Sequence, residues 1–459
     1  MIGEKKTESQ PEVKRGEFSS KLGFVMAAAG SAVGIGNIWS FPTQAADNGG
    51  GAFVLLYLFF VLLLGYPMLV AELLVGRHGK GDPVKALTEV SQGKAQTFFS
   101  WIFGGGSLLV VSLIFSFYAI VAGWFIGFGL EPIVSFFGLE SLGSWLTGFS
   151  LSSNLFLTFV FSLLTLFVLN QGVQEGIERW SKRLMPLLLI LLVSLAAYLL
   201  FLPGAMTGLK QYLIPDFSKI LGQDILISAL GQSFFSLSLG AAVMMVYGSY
   251  LNKKENIPKL AGLVTLLDTL VAILAGLLII PAIYVAEHNG VKIFNSKGLL
   301  IDSDGLVFTV LPALFKTMGS IGFFVVAPFF YLLMTIAALT SSISMLEAPS
   351  SFVQERTYFS RQKSLIFVGL SCFFISALII FNFDSLFGLV VNLVTNYAQP
   401  LASLGVVFFV GWVWRRDSVL QELSIADPDM GASFFWKIWP IYIKVVCPLL
   451  VVLVMSQSF

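Results

Sequence analysis

Long apolar runs dominate this chain of 459 residues, and they restrict it to one broad class of fold. Hydrophobic residues make up 56% of the sequence and charged residues only 12%. That is about half of the charged fraction usual in a soluble domain. A helix needs about 20 apolar residues to cross a bilayer. Runs of this kind lie near residues 22 to 46, 52 to 76, 98 to 129, 151 to 170, 184 to 202, 224 to 250, 260 to 286, 322 to 352, 364 to 382, 386 to 414 and 434 to 456. The sequence therefore predicts an all-α polytopic membrane protein with eleven transmembrane helices, called spans 1 to 11 below.

The positive charges of the loops predict an orientation. Residues 1–21 are polar and charged, and no signal-peptide cleavage pattern precedes span 1, so we expect this segment to stay in the cytoplasm. Of the 27 Lys and Arg residues, 22 then fall on the inner side. The five outer ones are Lys210, Lys219, Lys292, Lys297 and Lys316. Because Lys and Arg concentrate in cytoplasmic loops, we predict a multi-pass protein of the cell (inner or plasma) membrane with its amino terminus inside and its carboxyl terminus outside.

Several other classes of function find no support in the sequence. Cys372 and Cys447 lie in apolar runs, which predicts core residues rather than a disulfide. The two histidines, His78 and His288, are far apart and have no metal-ligand spacing around them, so a metal-dependent membrane enzyme is not expected. The net charge of +1 gives no indication of a nucleic-acid partner.

The first span is interrupted by glycines and polar residues. Residues 30–37, Gly-Ser-Ala-Val-Gly-Ile-Gly-Asn, lie within an apolar run. Each unpaired backbone N–H or C=O group costs several kcal/mol in hydrocarbon. Broken backbone at this depth is therefore tolerated only inside protein or beside a wet cavity. The interruption marks a candidate binding site.

Span 6 contains a second interruption. Residues 234–241, Phe-Phe-Ser-Leu-Ser-Leu-Gly-Ala, place two serines and a glycine within another apolar run, five spans after the first break. Small residues in membrane helices also serve close helix packing, but packing alone does not require a side chain such as Asn37. Paired breaks in two halves are typical of transporters built from inverted repeats. We therefore expect a cytoplasmic segment 1–21, repeats over 22–202 and 224–414, and an accessory span over 434–456.

Four motifs carry a resemblance to a known family. They are GSAVGIGNIWSFP at 30–42, NGGGAF at 48–53, GQSFFSLSLG at 231–240 and ALTSSISM at 338–345. Together they resemble the neurotransmitter:sodium symporter family, especially its eleven-span bacterial transporters of tyrosine and of several hydrophobic amino acids. The resemblance implies a LeuT-type 5+5 inverted repeat with broken helices 1 and 6, and sodium-coupled import of a hydrophobic or aromatic amino acid by alternating access. An amino-acid sensor or an uncoupled channel on the same fold is the alternative.

Two sodium sites are implied by this resemblance. The first would consist of the Ala32 carbonyl and the side chains of Asn37, Ser236 and Asp268, completed by the substrate carboxylate. The second would consist of the carbonyls of Gly30, Val33 and Ala337 and the hydroxyls of Thr340 and Ser341. As an alternative, the two hydroxyls could bond back to the preceding turn of their own helix.

The resemblance also implies a substrate site, in which the backbone N–H groups of Gly34 to Gly36 and the Tyr118 hydroxyl face the substrate carboxylate. Unpaired donors and the positive end of a helix dipole favour an anion there. Glycine at position 34, where monoamine carriers have an acid, disfavours a substrate without a carboxylate. The expected substrate-binding residues are Ala32, Gly34, Ile35, Gly36, Ile114, Tyr118, Phe235, Ser236, Ser238, Ala241, Ser341 and Met345. The small Ala241 leaves room for a large apolar side chain.

Asp268 departs from the chloride-dependent relatives, which have asparagine here and serine four residues on, where this chain has Ala272. A fixed carboxylate would replace the anion, since a buried acid is costly without a cation. We predict transport without chloride and with proton counter-transport. A structural acid hydrogen-bonded to Tyr57 or Gln232 is the alternative.

The resemblance places gates on both sides. On the inner side Arg15 and Phe18 would anchor the amino terminus, with Glu355 as the matching acid. Gly176 and Pro186 would allow span 5 to unwind, although a plain loop-to-helix entry with Pro186 in the first turn is also open.

On the outer side the charged gate of the family is missing. Ser40 replaces its arginine, and Asn392 and Asn396 are the nearest polar residues where an aspartate would be. We therefore expect closure by Phe235, Tyr118 and neutral hydrogen bonds, with Trp39 as an apolar lid. The loop over 287–321 should dock into the outer mouth. Glu72 should pair with free backbone N–H groups of span 6.

Overall fold

A computed structural model describes residues 16–218, 220, 222–295, 300 and 305–456. Within these residues the chain is almost entirely helical, as predicted. Most of the segment 1–21, including Arg15, lies outside the described residues.

The helices follow one another with short connections. The first part of the chain forms α1 (Lys21–Ala32), α2 (Gly36–Asp47), α3 (Gly51–Gly79), α4 (Pro83–Glu89), α5 (Lys94–Phe136), α6 (Glu140–Thr147), α7 (Leu151–Leu169), α8 (Val173–Leu200) and α9 (Ala205–Leu213). The second part forms α10 (Gln223–Ser236), α11 (Val243–Ser249), α12 (Ile257–His288), α13 (Leu306–Thr317), α14 (Gly319–Arg356), α15 (Arg361–Phe381), α16 (Phe383–Val413), α17 (Arg416–Ser424) and α18 (Phe434–Ser456).

Nine of the described helices are long and apolar enough to cross a membrane, and the bent pair α1 and α2 makes ten candidate spans. The predicted span 6 is divided into α10 and α11, each too short to be counted alone. If these two form one interrupted crossing, the total reaches the eleven that the sequence predicts.

Both predicted helix breaks are present. Between α1 and α2 the backbone leaves the helix at Val33, and the two segments differ in direction by 59°. Between α10 and α11 residues 237–242 are not helical. In this second break Ser238, Gly240 and Ala242 have φ values of 53°, 79° and 64°. Such left-handed conformations are costly for residues with a Cβ atom, so they persist only where the surroundings fix them.

The broken helices lie at the centre of the helix bundle. α1 packs against α8, α12 and α14, while α10 and α11 pack against α3. α5 lies along α14. The side of the bundle on which α1 begins is the proximal side, and the opposite side is the distal side.

A buried ion-pair network fixes the proximal end of α3. Arg77 is fully buried, and its Nε donates to Glu422 Oε1 at 2.9 Å. Its Nη1 donates to the Lys253 carbonyl. Burial alone would raise the pKa of Glu422, but a hydrogen bond from His78 and the charge of Arg77 hold this pKa below its ordinary value. The network ties α3, α17 and the loop after α11 together.

Candidate substrate and cation site

Three polar side chains meet where the two breaks face each other. Asn37 Nδ2 donates to Asp268 Oδ1 at 2.7 Å and to Ser236 Oγ at 2.9 Å. Ser236 Oγ donates to Asp268 Oδ2 at 2.6 Å. All three residues are buried. The structure thus brings together the three side chains expected for the first sodium site, from α2, α10 and α12.

The surroundings of Asp268 differ from the alternative suggested by the sequence. Gln232 bonds to Ser40 Oγ at 3.0 Å and to the Gly36 carbonyl at 3.2 Å. Tyr57 reaches Ser236, with an oxygen–oxygen distance of 3.0 Å. The hydrogen bonds described for the Asp268 carboxylate therefore come from Asn37 and Ser236.

Ala32, the remaining predicted member of this set, is the last residue of α1. The last four carbonyls of a helix have no partner within the helix. The end of α1 therefore supplies carbonyl oxygens at the level of the break.

The second expected set also converges, with one difference between its two hydroxyls. Ser341 Oγ donates to the Val33 carbonyl at 2.9 Å and to the Gly30 carbonyl at 3.3 Å. Thr340 Oγ1 instead donates within its own helix, to Ala337 at 3.0 Å. Ser341 therefore bridges α14 to the end of α1, whereas the alternative of bonding back to the preceding turn applies to Thr340.

The expected carboxylate pocket is tightly enclosed at Gly34. A Cβ atom at this position would lie 2.7 Å from Ser341 Oγ and 2.9 Å from the Tyr118 hydroxyl oxygen. The Ile35 N–H donates to that hydroxyl at 3.3 Å. At Gly36 a Cβ would meet no heavy atom within 4 Å. A side chain at position 34 would displace the Ser341 or Tyr118 hydroxyl, and the open space lies beside Gly36.

The remaining residues expected to bind substrate belong to the same apolar core. Ile114, Ala241 and Met345 are buried in it, and Phe235 packs half-buried against it. Ser238 is half-buried within the second break.

The second break is held by side chains from two other helices. Glu72 Oε1 accepts the Gly240 N–H at 2.7 Å, as predicted. Gln399 Nε2 donates to the Leu239 carbonyl at 2.8 Å. The sequence analysis missed Gln399, although an amide beside Pro400 in an apolar run is a detectable anomaly.

The distal side is covered by aromatic side chains. Trp39 packs edge-on against Phe308 of α13, with 5.5 Å between ring centroids. Phe308 also stacks on Phe125 at 5.3 Å. Leu314 and Phe315 of α13 are buried, so this helix of the predicted loop packs against the bundle. Where a charged gate is missing, Ser40 makes the neutral hydrogen bond to Gln232 already described.

On the proximal side Phe18 closes the bundle. Its ring packs edge-on against Phe24 and Tyr247, with centroids 5.4 and 5.6 Å away. Its N–H donates to the Tyr250 carbonyl at 3.2 Å. Glu355 accepts the Asp82 N–H at 2.9 Å. The expected partner of Glu355, Arg15, lies outside the described residues.

Glu178 forms a latch between the amino-terminal segment and α8, and the sequence analysis missed it. Its carboxylate accepts the Ser19 N–H at 2.7 Å, the Ser19 hydroxyl at 2.6 Å and the Ser20 hydroxyl at 3.0 Å. Lys182 Nζ lies 2.6 Å from Oε1. Because Ser20 also caps α1, one carboxylate links the start of α1 to the first turns of α8.

The predicted unwinding segment is part of α8. Gly176 lies in its first turns, where a Cβ atom would come within 2.3 Å of the Val168 carbonyl oxygen. Pro186 lies inside the helix. The alternative of a loop-to-helix entry with Pro186 in the first turn is therefore wrong, because α8 begins at Val173.

The fold and the site define a membrane transporter with two broken helices. A model of the sodium:neurotransmitter symporter family matches residues 15–136 and 130–459. The chain is 35% identical over 464 residues to the uncharacterized sodium-dependent transporter YhdH of Bacillus subtilis, with 96% of this chain and 97% of the relative covered. It is 33% identical to an uncharacterized sodium-dependent transporter of Haemophilus influenzae, with 97% and 98% covered.

A solved structure agrees with this assignment. The crystal structure of MhsT in complex with L-phenylalanine matches with a TM-score of 0.82 and 32% identity, over 97% of this chain and all of that one. The chain belongs to the sodium:neurotransmitter symporter family. It is a multi-pass, sodium-dependent transporter of a small-molecule substrate, and not an enzyme.

Proposed function

We propose that this protein is a sodium-coupled symporter that imports a hydrophobic or aromatic amino acid by alternating access. The observation that carries the proposal is the meeting of Asn37, Ser236 and Asp268 at the two helix breaks. The phenylalanine bound to MhsT supports the substrate class.

We assign one sodium ion to each of the two converging oxygen sets. The first uses the Ala32 carbonyl, Asn37, Ser236 and Asp268. The second uses the oxygens of Gly30, Val33, Ala337, Thr340 and Ser341. Hard cations prefer such oxygen ligands, and broken helices supply them at mid-membrane. The second set draws its carbonyls from the end of α1, so its sodium would hold α1 against α14.

The substrate carboxylate would lie at the N–H groups of Gly34 to Gly36 and reach the Tyr118 hydroxyl. There it would complete the shell of the first sodium ion. Coupling follows because each ligand then raises the affinity of the other by the same factor. The apolar side chain of the substrate would lie among Ile114, Ala241 and Met345.

Asp268 would make transport independent of chloride. Its carboxylate supplies the negative charge that a bound anion would otherwise provide. On the return step without sodium, a proton would neutralise the acid, since a buried charge without a cation is unfavourable. The exchange of sodium for a proton at Asp268 predicts proton counter-transport.

The charge asymmetry supports the orientation, with the proximal side facing the cytoplasm. The two repeats would be 22–202 and 224–414, with 434–456 as an accessory span. Alternating access would then use Phe18 and Glu178 as the inner closure and α13 as the outer lid. Gly176 and Pro186 would let the start of α8 unwind.

Uptake into proteoliposomes tests the proposal. Purified protein should accumulate labelled phenylalanine, leucine or tyrosine above equilibrium only with an inward sodium gradient, with or without chloride. Competition by the twenty amino acids would then define the substrate. Equilibration without accumulation would support an uncoupled channel, and binding without flux would support a sensor.

Asp268→Asn separates the role of the acid from that of the fold. The variant should regain uptake only when chloride is present, whereas the surface variant Asp384→Asn should behave as wild type. An active Asp268→Asn protein that is indifferent to chloride would contradict the charge-replacement argument.

A further inference from the structure

An apolar groove of about 580 Å³ opens on the surface between α5, α16 and α18. Its walls are formed by Leu401, Leu404 and Phe408 of α16 and by Leu449 of α18. Gly405 forms the floor, because a Cβ atom there would come within 2.2 Å of the Phe103 ring. None of the proposed sodium or substrate ligands lines it.

Lys444 lies at one end of this groove, on a helix that crosses the membrane. Its Nζ is 4.3 Å from the centroid of the Trp412 ring, and the indole N–H donates to the Lys444 carbonyl at 3.1 Å. Among the described residues no carboxylate is recorded within ion-pair distance of Lys444. A charged group in a membrane span is costly unless a partner neutralises it. The Trp412 ring contacts this charge but does not neutralise it, so an anion from outside the described residues would have to supply the counter-charge.

The depth of Lys444 is set by its contact with α16. A Cβ atom at Gly411 would lie 2.9 Å from Lys444 Cα, so the two residues are level. Gly411 lies two residues before the end of α16 at Val413, which corresponds to about 3 Å along a helix. Lys444 therefore lies close to the headgroup level of the proximal leaflet, and Trp412 lies where interfacial aromatic residues are common.

From this level the groove extends into the hydrocarbon region. The distance from Trp412 to Leu401 along α16 is about 16 Å. The groove is open to the membrane along its walls, since Leu401 and Leu449 are 53% and 61% exposed. The groove thus combines one cation at headgroup depth with a long apolar channel.

We propose that this groove binds one anionic phospholipid of the cytoplasmic leaflet, with its phosphate at Lys444 and an acyl chain along Leu401, Leu404, Phe408 and Leu449. The basic residues Arg415 and Arg416, which follow α16 at the same end, add to the attraction for an anionic headgroup. A second copy of the chain fits less well, because a two-fold contact would bring two uncompensated Lys444 charges to one interface.

The test measures lipids retained by the purified full chain after incubation with equal amounts of phosphatidylglycerol and phosphatidylcholine, by native mass spectrometry. Wild-type protein should retain phosphatidylglycerol in preference. Lys444→Gln should reduce this preference about five-fold, the ratio that corresponds to about 1 kcal/mol for one lysine near anionic lipid. Lys444→Arg and the neighbouring control Lys437→Gln should keep most of it.

A second variant tests the apolar channel separately. Leu449→Trp should fill the groove and reduce retention of the phospholipid, with sodium-dependent thermal stabilisation unchanged. Equal retention by wild type and Lys444→Gln, no preference in the wild type, or retention unaffected by Leu449→Trp would each overturn the proposal. So would a wild-type dimer that Leu449→Trp dissociates, since a second copy would then occupy the groove.

Discussion

The two helix breaks differ in what holds their backbone. The break between α1 and α2 is short, and its neighbouring carbonyls at Gly30 and Val33 accept from a single serine hydroxyl. The break between α10 and α11 covers 237–242 and includes three left-handed residues. A carboxylate from α3 and an amide from α16 hold its N–H and C=O groups.

This difference indicates that the two breaks have different roles. In the second break, buried side chains pair the Gly240 N–H and the Leu239 carbonyl. In the first break, Ser341 is the side-chain partner of the Gly30 and Val33 carbonyls among the described residues, and a cation could replace that hydrogen bond. We therefore expect the first break to respond to ligands and the second to be a fixed frame against which it moves.

The largest loss of sodium affinity and uptake is expected on substitution of Asn37, which lies where the two breaks meet. Asn37→Ala removes one of the two side-chain donors to the Asp268 carboxylate and one proposed sodium ligand, and a hydrogen bond to a charged group is worth about 2 kcal/mol. Sodium affinity should fall at least about 30-fold, and sodium-driven uptake should be lost. Sodium-dependent thermal shifts of the purified protein measure this, and the surface variant Asp384→Ala is the control.

Glu72→Ala tests whether the second break is a fixed frame. The Gly240 N–H would lose its buried acceptor, at a cost of about 1 to 3 kcal/mol. We expect lower thermal stability to a similar extent with and without sodium. Glu72→Gln keeps an acceptor oxygen and should be close to wild type. A loss of thermal stability that is seen only when sodium is present would contradict the proposed difference between the two breaks.

Ser341→Ala should instead change sodium affinity more than it changes stability without sodium. It removes the one hydroxyl shared with Gly30 and Val33, so the half-saturating sodium concentration should rise about ten-fold, for about 1.4 kcal/mol. Stability without sodium should fall by about 1 kcal/mol from the lost hydrogen bond, and the loss should be larger when sodium is present. Ser351→Ala, whose hydroxyl bonds within its own helix, is the matched control, and equal effects of both variants would argue against a ligand role.

The smallest effect is expected at the latch that connects the first break to α8. Glu178→Gln weakens the bonds to Ser19 and Ser20, so amides of α1 should exchange with deuterium about five-fold faster, for about 1 kcal/mol. Glu175→Gln changes an exposed acid of the same segment and should leave exchange unchanged. Protection that is unaffected by Glu178→Gln would show that the latch does not restrain α1.

Much of the architecture could be predicted from the sequence because it depends on local composition. Apolar run lengths gave the spans, and glycines with Ser or Asn inside those runs gave both breaks. The pairing of Glu72 with span 6 also followed, since an acid at that depth must find a donor. The meeting of Asn37, Ser236 and Asp268 came from the family resemblance rather than from the pattern alone.

The contacts that could not be predicted from the sequence join residues far apart in the chain. Gln399 lies 160 residues from the carbonyl it holds, and Glu178 lies 159 residues from Ser19. Nothing near either residue in the sequence identifies its partner. The different roles of the adjacent hydroxyls of Thr340 and Ser341 were also undetermined, since the choice depends on which face of α14 meets α1.

The sequence by itself determined where helices can cross a membrane and where they must break, because burial of apolar residues and the flexibility of glycine act within a few residues. Only the tertiary structure decided which side chains hold the peptide groups of each break. That decision depends on which distant side chains the packed helices bring within hydrogen-bond distance of each exposed peptide group.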